Sequence, residues 1–535
     1  MLATAAIASA FATPLSSQQG TVAVGGRAEV FTGGELEDYL RALQLVGVVQ
    51  LYPWSIRSFS QRELDRLLPG DAQHPWSQRY DLVAHATDGL WTELVRPTLT
   101  LRFNSAFPYG SNDGPVWAGK GITMALQAGF ALRSGPVSLT IAPLVFRAEN
   151  SSFPLMANGE TGRLVYADGL YPEAIDRPQR FGDQPYTTID LGQTTFRLDV
   201  GPVAAGVSTA SQYWGPAAEY PAILGNNAAG FPHAFLGTSR PIDCWLFRLH
   251  GRLVYGRLSQ SAYSVETTTG GVRFMSGLVG VVTPRGVPGL EFGFSRFIHS
   301  DWPEDGPILS DLLVPLRSRN RLNQVGLVKD NQLASAFARW VFPHAGVEVY
   351  GEYGREDYNA GLRDFIEEPD HIGGYTLGFG LRKAFRPSDT GLLVVSAEVQ
   401  NQQLPRTAVE IGQSPVYTHS STQRQGHTQR GQILASDLGP GGSGATLAVD
   451  RYHPRGRWSV RWTRVLRRDR GDFFATGRID PRARDVQHAL GVEGLFFRGR
   501  YDVRAALTGV YEFNRDFGRD AFNLNAQIGI TAGVR

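Results

Sequence analysis

The sequence predicts an all-β fold: a large antiparallel transmembrane β-barrel of roughly 18 strands, preceded by a small helical unit. Three observations carry this. From Thr98 onward, apolar and polar residues mostly alternate with a period of two, so each strand has one wet face and one apolar face. Many of these runs reach about ten residues, the length a tilted strand needs to cross a bilayer. The polar faces carry full charges in mid-strand, which suits a wet lumen better than the interior of a β-sandwich.

Taken in order, Leu2–Ala12 is small and apolar, and Ala10-Phe11-Ala12 has the form of a cleavage site. No Lys or Arg precedes it, so residues 1–12 read as a truncated signal peptide. Residues 13–34 are polar and Gly-rich, a flexible lead-in. Leu36, Tyr39, Leu40, Leu43 and Val46 then recur at helical spacing, and Gly47 suits the end of that helix. Ser60-Gln61-Arg62-Glu63 has the spacing of a capping box, with Leu64, Leu67 and Leu68 behind it and Pro69 as a stop. Tyr80, Leu82 and Val83 suggest a third short helix after Trp76. Residues 35–95 therefore form a small helical unit on the periplasmic side. It is too small to bury much core alone, so it is expected to dock on the rest.

Residues 96–535 supply the barrel. Phe196, Leu198 and Val200 oppose Arg197 and Asp199; Trp245, Phe247, Leu249, Leu253 and Tyr255 oppose Arg248, His250 and Arg252. Val347, Val349 and Tyr353 oppose Glu348 and Glu352. Trp458, Val460 and Trp462 oppose Ser459, Arg461 and Thr463. Tyr501–Phe513 and Phe522–Val534 alternate in the same way. Tyr109, Trp340 and Phe342 near strand ends are candidates for aromatic girdles. Long connections at 150–186, 212–242, 299–330 and 401–426 are expected outside the cell or folded into the lumen, and short ones in the periplasm. The chain ends Val534-Arg535, without the terminal aromatic residue common in such barrels.

Composition narrows the function. A net charge of +2 gives no support to nucleic-acid binding. The single Cys244 excludes an internal disulfide and a cysteine-cluster zinc site. No uncharged apolar run of about 18 residues marks a transmembrane helix.

Catalytic patterns are weak. Gly114-Pro115-Val116-Trp117-Ala118-Gly119-Lys120 fits most of a P-loop, but Gly121 stands where a magnesium-binding hydroxyl belongs and no helix follows. No H-E-x-x-H or G-x-S-x-G occurs. Glu348 and Glu352, four apart on one strand face, sit roughly 13 Å apart, too far for a glycosidase pair. A lumenal charge network is the expected role. The acidic run Asp364, Glu367, Glu368, Asp370 and His371 lacks an EF-hand pattern and reads as a solvated loop. No enzyme, metal or cofactor is expected.

The stretch Ser208–Arg240 stands apart. It leaves an alternating strand at Tyr213-Trp214-Gly215-Pro216, where Pro and Gly break the ladder. Asn226, Asn227 and a Phe231-Pro232-His233 turn follow. Aromatic faces and amides are the groups that hold sugars, so Tyr213, Trp214, Asn226, Asn227 and His233 are candidates for a polysaccharide site or a lumen plug. The plainer alternative is that they bond the loop's own backbone.

The same stretch resembles the Wzi-type capsule assembly family of bacterial outer-membrane proteins. Further segments that resemble it include Asn112-Asp113-Gly114-Pro115-Val116-Trp117-Ala118-Gly119-Lys120, Gln179-Arg180-Phe181-Gly182, Arg339-Trp340-Val341-Phe342-Pro343 and His427-Thr428-Gln429-Arg430-Gly431-Gln432. The resemblance marks Asn112, Asp113, Trp117 and Lys120 as a family-motif turn. It implies a lectin-like protein that attaches or assembles capsular or exopolysaccharide in the outer membrane. The partners expected are surface polysaccharide and outer-membrane lipid, with a monomer as the working state. The alternative is an outer-membrane porin or transporter for saccharides.

Overall fold

The computed structural model describes residues 22–23, 29–67, 75–80, 82, 90–265, 270–307, 309–316, 330–356, 375–388, 391–404, 413–419, 423–469 and 483–533. The signal-like segment, most of the lead-in, and the acidic run 364–371 lie outside these residues.

Alternation of the kind read above closes into a barrel of eighteen antiparallel strands. They are β1 (Leu90–Asn104), β2 (Gly121–Ser134), β3 in two pieces (Val137–Ile141, Leu144–Ala148), β4 in two pieces (Tyr186–Asp190, Thr195–Val200), β5 (Val203–Ser208) and β6 in two pieces (His233–Thr238, Ile242–Cys244). Next come β7 (Phe247–Ser259), β8 (Val272–Pro284), β9 (Leu290–Asp301), β10 (Asp330–Phe342), β11 (Val347–Glu356) and β12 (Tyr375–Ser388). The last six are β13 (Gly391–Asn401), β14 (Ser443–His453), β15 (Gly456–Asp469), β16 (Arg484–Arg498), β17 (Tyr501–Arg515) and β18 (Arg519–Ala532). β18 pairs with β1 from Asn525↔Asn104 to Thr531↔Thr98, which leaves no seam. The first strand begins at Leu90, inside the stretch expected to be helical.

The outward face of each strand is apolar and bare: Leu507, Ile528, Leu490 and Phe379 are all more than half exposed. A continuous belt of this kind is what lipid requires. Trp340 and Phe342 pack with ring centroids 4.6 Å apart, tilted by 35°, near the tight-turn end, in the girdle position. Tyr109 instead lines an internal cavity. No described helix is long and apolar enough to cross a membrane; the strands do so.

The helical unit consists of α1 (Glu35–Leu45), α2 (Gln61–Leu67) and α3 (Pro75–Arg79). One arm of the predicted capping box forms: the Ser60 N–H donates to Glu63 Oε2 at 2.9 Å, while the Ser60 hydroxyl donates to the same oxygen at 2.6 Å. The unit is seated in the barrel at the end where hairpins are tight. Tyr39 stacks on Trp76 at 4.7 Å, both rings pack on Tyr452, and Trp76 Nε1 donates to the His453 carbonyl at 2.8 Å. Charged residues complete the seating. Arg41 of α1 donates to Glu348 of β11, which also accepts from Arg339 of β10 at 2.8 Å. The expected lumenal charge network thus includes Glu348, while Glu352 accepts from Ser335 at 2.7 Å.

Glu63 is fully buried and held down to about 2. Burial alone pushes its pKa up, but the hydrogen bond from His250 and the nearby Arg197 and Arg252 outweigh that effect.

Candidate functional site

After Ser208 the chain turns off the wall into the lumen, where Tyr213–Trp214 pairs with Ile56–Arg57 of the N-terminal unit. Gly215 then takes φ +95°, a conformation that favours glycine, and so turns the chain after Trp214. The Arg57 guanidinium lies 3.6 Å over the Tyr213 ring and donates to the Gly215 and Ala217 carbonyls. The next three N–H groups, of Ala218, Glu219 and Tyr220, all donate to the Glu398 carboxylate of β13, at 2.8, 3.1 and 2.7 Å. A non-repetitive segment thus has its backbone satisfied inside the barrel.

The amides join loops. Asn112 N–H donates to Asn227 Oδ1 at 3.3 Å, and Asn226 Nδ2 donates to the Asn112 carbonyl at 2.8 Å. Asn112 Nδ2 donates to the Glu219 carbonyl, and Asn227 Nδ2 to the Ile433 carbonyl at 2.9 Å. Asn226 and Asn227 therefore bond the backbone of other segments, at Asn112 and Ile433, rather than that of their own loop. Asn112 sits at φ +56°, which asparagine tolerates better than most residues.

Trp214 and His233 lie deeper still. Trp214 is fully buried in an apolar cluster with Phe231, Met275 and Phe297, and His233 Nδ1 is 2.7 Å from the Phe231 carbonyl. Lys120 points elsewhere, donating to the Ser152 carbonyl at 2.9 Å.

Beside this plug lies a cavity of about 530 Å³. Six of the nine candidates line it: Asn112, Asp113, Trp117, Tyr213, Asn226 and Asn227. Tyr109 and Trp117 are partly exposed there. The facing wall is supplied by β12–β18 and β1. Along β15 every second residue from Arg457 to Arg467 lines the cavity, a run of Arg, Ser, Arg, Thr, Val and Arg. That face was partly legible as the polar side of the Trp458–Thr463 alternation.

Most cavity arginines are already paired. Arg457 bonds Glu35, Asp450 and Glu493, Arg461 bonds Glu219, and Arg102 bonds Asp113. Arg382 of β12 differs. It is only 5% exposed, yet its Nε and Nη1 have no hydrogen-bond partner among the described residues. A buried donor without a partner carries its full desolvation cost. No sequence signal marked it. Among the described residues no group of His, Cys, Asp and Glu side chains is arranged to hold a metal.

A family model described as capsule assembly protein Wzi matches residues 147–506. Among solved structures, the chain resembles that of Wzi from Escherichia coli, described as an outer-membrane protein involved in group 1 capsule assembly and a carbohydrate-binding β-barrel. That match has a TM-score of 0.62 at 15% identity and covers 95% of this chain and 100% of that one. Looser likenesses are to OccK5 (OpdH) and OpdQ of Pseudomonas aeruginosa, with TM-scores of 0.37 and 0.40 at 11% and 6% identity. Each covers 82% of this chain, and 98% and 97% of the other. No curated protein matches. An outer-membrane barrel whose chain matches that model over most of its length, this protein belongs to the Wzi capsule assembly family.

Proposed function

We propose that this protein holds capsular or extracellular polysaccharide at the cell surface, as a lectin-like barrel that makes and breaks no covalent bonds. The cavity beside the plug is the binding site. Its volume falls in the range of about 300–1,000 Å³ usual for ligand sites. The observation that carries the reading is its lining: arginines, carboxylates and amides around the partly exposed rings of Tyr109 and Trp117. Rings offer an apolar face to pyranose C–H groups, and the charged side chains bond hydroxyls. Arg382, with Nε and Nη1 unpartnered among the described residues, offers charged donors to a ligand. The helical unit lies on the periplasmic side, with the tight hairpins, and the protein works as a monomer. A lumen crossed by both the plug and the helical unit favours binding over free diffusion of saccharides.

The test is binding of the host's isolated surface polysaccharide to the purified barrel in detergent. Arg382→Gln removes the guanidinium charge, and a heat-shifted gel band confirms that the barrel still closes. Affinity is expected to fall about tenfold or more, since a hydrogen bond to a charged group contributes about 1.5–3 kcal/mol. Unchanged affinity in Arg382→Gln and Trp117→Ala together would remove the cavity as the site.

A further inference from the structure

The described part of the connection between β9 and β10, residues 302–307 and 309–316, lies against the outer wall of the barrel. Side-chain direction settles where it goes. On β7–β10 the lumenal residues are those that meet the plug, such as Arg252 on Gln212, Met275 in the plug cluster and Glu291 on Trp54. The alternate residues face out. Four of these stand in one row across the wall, Tyr255↔Ser276, Ser276↔Ile298 and Ile298↔Gln332. Outward residues of this barrel are generally bare, yet Ser276, Ile298 and Gln332 are 1%, 2% and 9% exposed.

The chain from Trp302 to Leu316 covers them. The Tyr255 hydroxyl donates to the Leu312 carbonyl. Arg296, one row below, donates to the Pro315 carbonyl at 3.2 Å and to Gln332 Oε1 at 2.7 Å. Trp302 meets outward-facing Phe274 edge-on at 6.0 Å. Within this stretch Leu309–Leu312 forms a helical turn and Val314–Leu316 a 3-10 turn, which satisfy part of the backbone locally.

Height decides what surrounds this strap. Gln332 is eight residues above Trp340 of the inner girdle on the same strand. That is about 26 Å along the strand and about 20 Å along the axis at a tilt near 40°. The apolar band of such barrels is about 25 Å tall. The row therefore lies within the membrane, near its outer boundary, and Arg296 lies deeper. Uncovered, a guanidinium, an amide and two hydroxyls would face hydrocarbon, where they find no partners. The strap covers these groups and turns Leu313 and Leu316 outward. Leu313 and Leu316 are 40% and 62% exposed, continuous with the bare belt formed below by Phe292 and Phe294.

We propose that residues 302–316 form a strap lying in the membrane itself, seated on the outer wall and presenting Trp302, Leu313 and Leu316 to acyl chains of the outer leaflet. It is a lipid-contacting surface, independent of what the cavity binds. Lipid is the occupant because the strap continues the belt that lipid already covers. Glu304 and Asp305, exposed at the strap's other end, mark where it emerges into water.

The test places one thiol-linked bimane at a time on full-length protein in a Cys244→Ser background. The positions are Leu313→Cys, Leu316→Cys and, for comparison, Asp305→Cys. All three side chains are exposed enough to label, and a heat-shifted gel band confirms each closed barrel. The proteins are reconstituted in phosphatidylcholine vesicles containing doxyl-labelled acyl chains, or treated with aqueous iodide. The probes at 313 and 316 are expected to be quenched several-fold more by doxyl lipid than by iodide, with the reverse at 305. Iodide quenching at 313 and 316 equal to that at 305 would overturn the proposal.

Discussion

Replacing Trp214 with alanine is expected to cost about 3–5 kcal/mol, the usual loss for a large buried aromatic side chain, and to turn a weakly conducting barrel into one with large current steps. Trp214 is fully buried where the loop, the N-terminal unit and the wall meet. The wall is shaped for it: a Cβ added at Gly277 of β8 would lie 2.8 Å from the indole. The loss falls on the plug because Trp214 belongs to no wall strand, so the barrel should still run as a heat-modifiable band. Single-channel recording in a planar bilayer gives the check. Wild-type conductance in the variant would mean that the loop is held mainly by its hydrogen bonds to Glu398 and the asparagines.

Glu348→Ala is the second large effect. Glu348 is fully buried and receives both Arg41 of the helical unit and Arg339 of the wall. Arg339 keeps Glu291 at 3.0 Å, but Arg41 loses its carboxylate partner. Breaking a buried pair by removing one member costs about 3–5 kcal/mol, because the other charge stays desolvated. The helical unit should then loosen, read as faster proteolysis within residues 35–67 while the barrel persists. Arg41→Met combined with Glu348→Leu should recover most of the protection, since packed apolar side chains of similar size replace such pairs at little cost. Equal protease sensitivity in the single and double variants would contradict this.

The wall was legible because its physics is local. A strand with lipid on one side and water on the other must alternate, as Tyr501–Phe513 does on β17, and a tight hairpin needs only its own turn residues. The place of the helical unit was less legible. The spacing of Leu36, Tyr39, Leu40 and Leu43 gave α1 its apolar face, but Glu37 and Arg41 are buried too, at 3% and 1% exposure. Charged positions on a short helix read as solvated unless their partners are known, and Arg41's partner stands 307 residues away.

The candidate site was half legible for a related reason. Composition marked Tyr213, Asn226 and Asn227 as unusual for a loop, and all three reach the cavity. It could not separate ring and amide groups that bind a ligand from those that satisfy a buried loop, since both tasks use the same chemistry. Arg382 sits within an ordinary polar alternation, and only its Nε and Nη1, without a hydrogen-bond partner among the described residues, make it distinct.

Retention of polysaccharide at the surface through the cavity is tested most directly by comparing cell-bound with released polysaccharide in the host, with the gene deleted and then restored as wild type or as Arg382→Gln with Trp117→Ala. Expected are unchanged total polysaccharide, a shift from cells to medium on deletion, and recovery by wild type but not by the double variant. A fall in total polysaccharide, or full retention by the double variant, would contradict retention through the cavity.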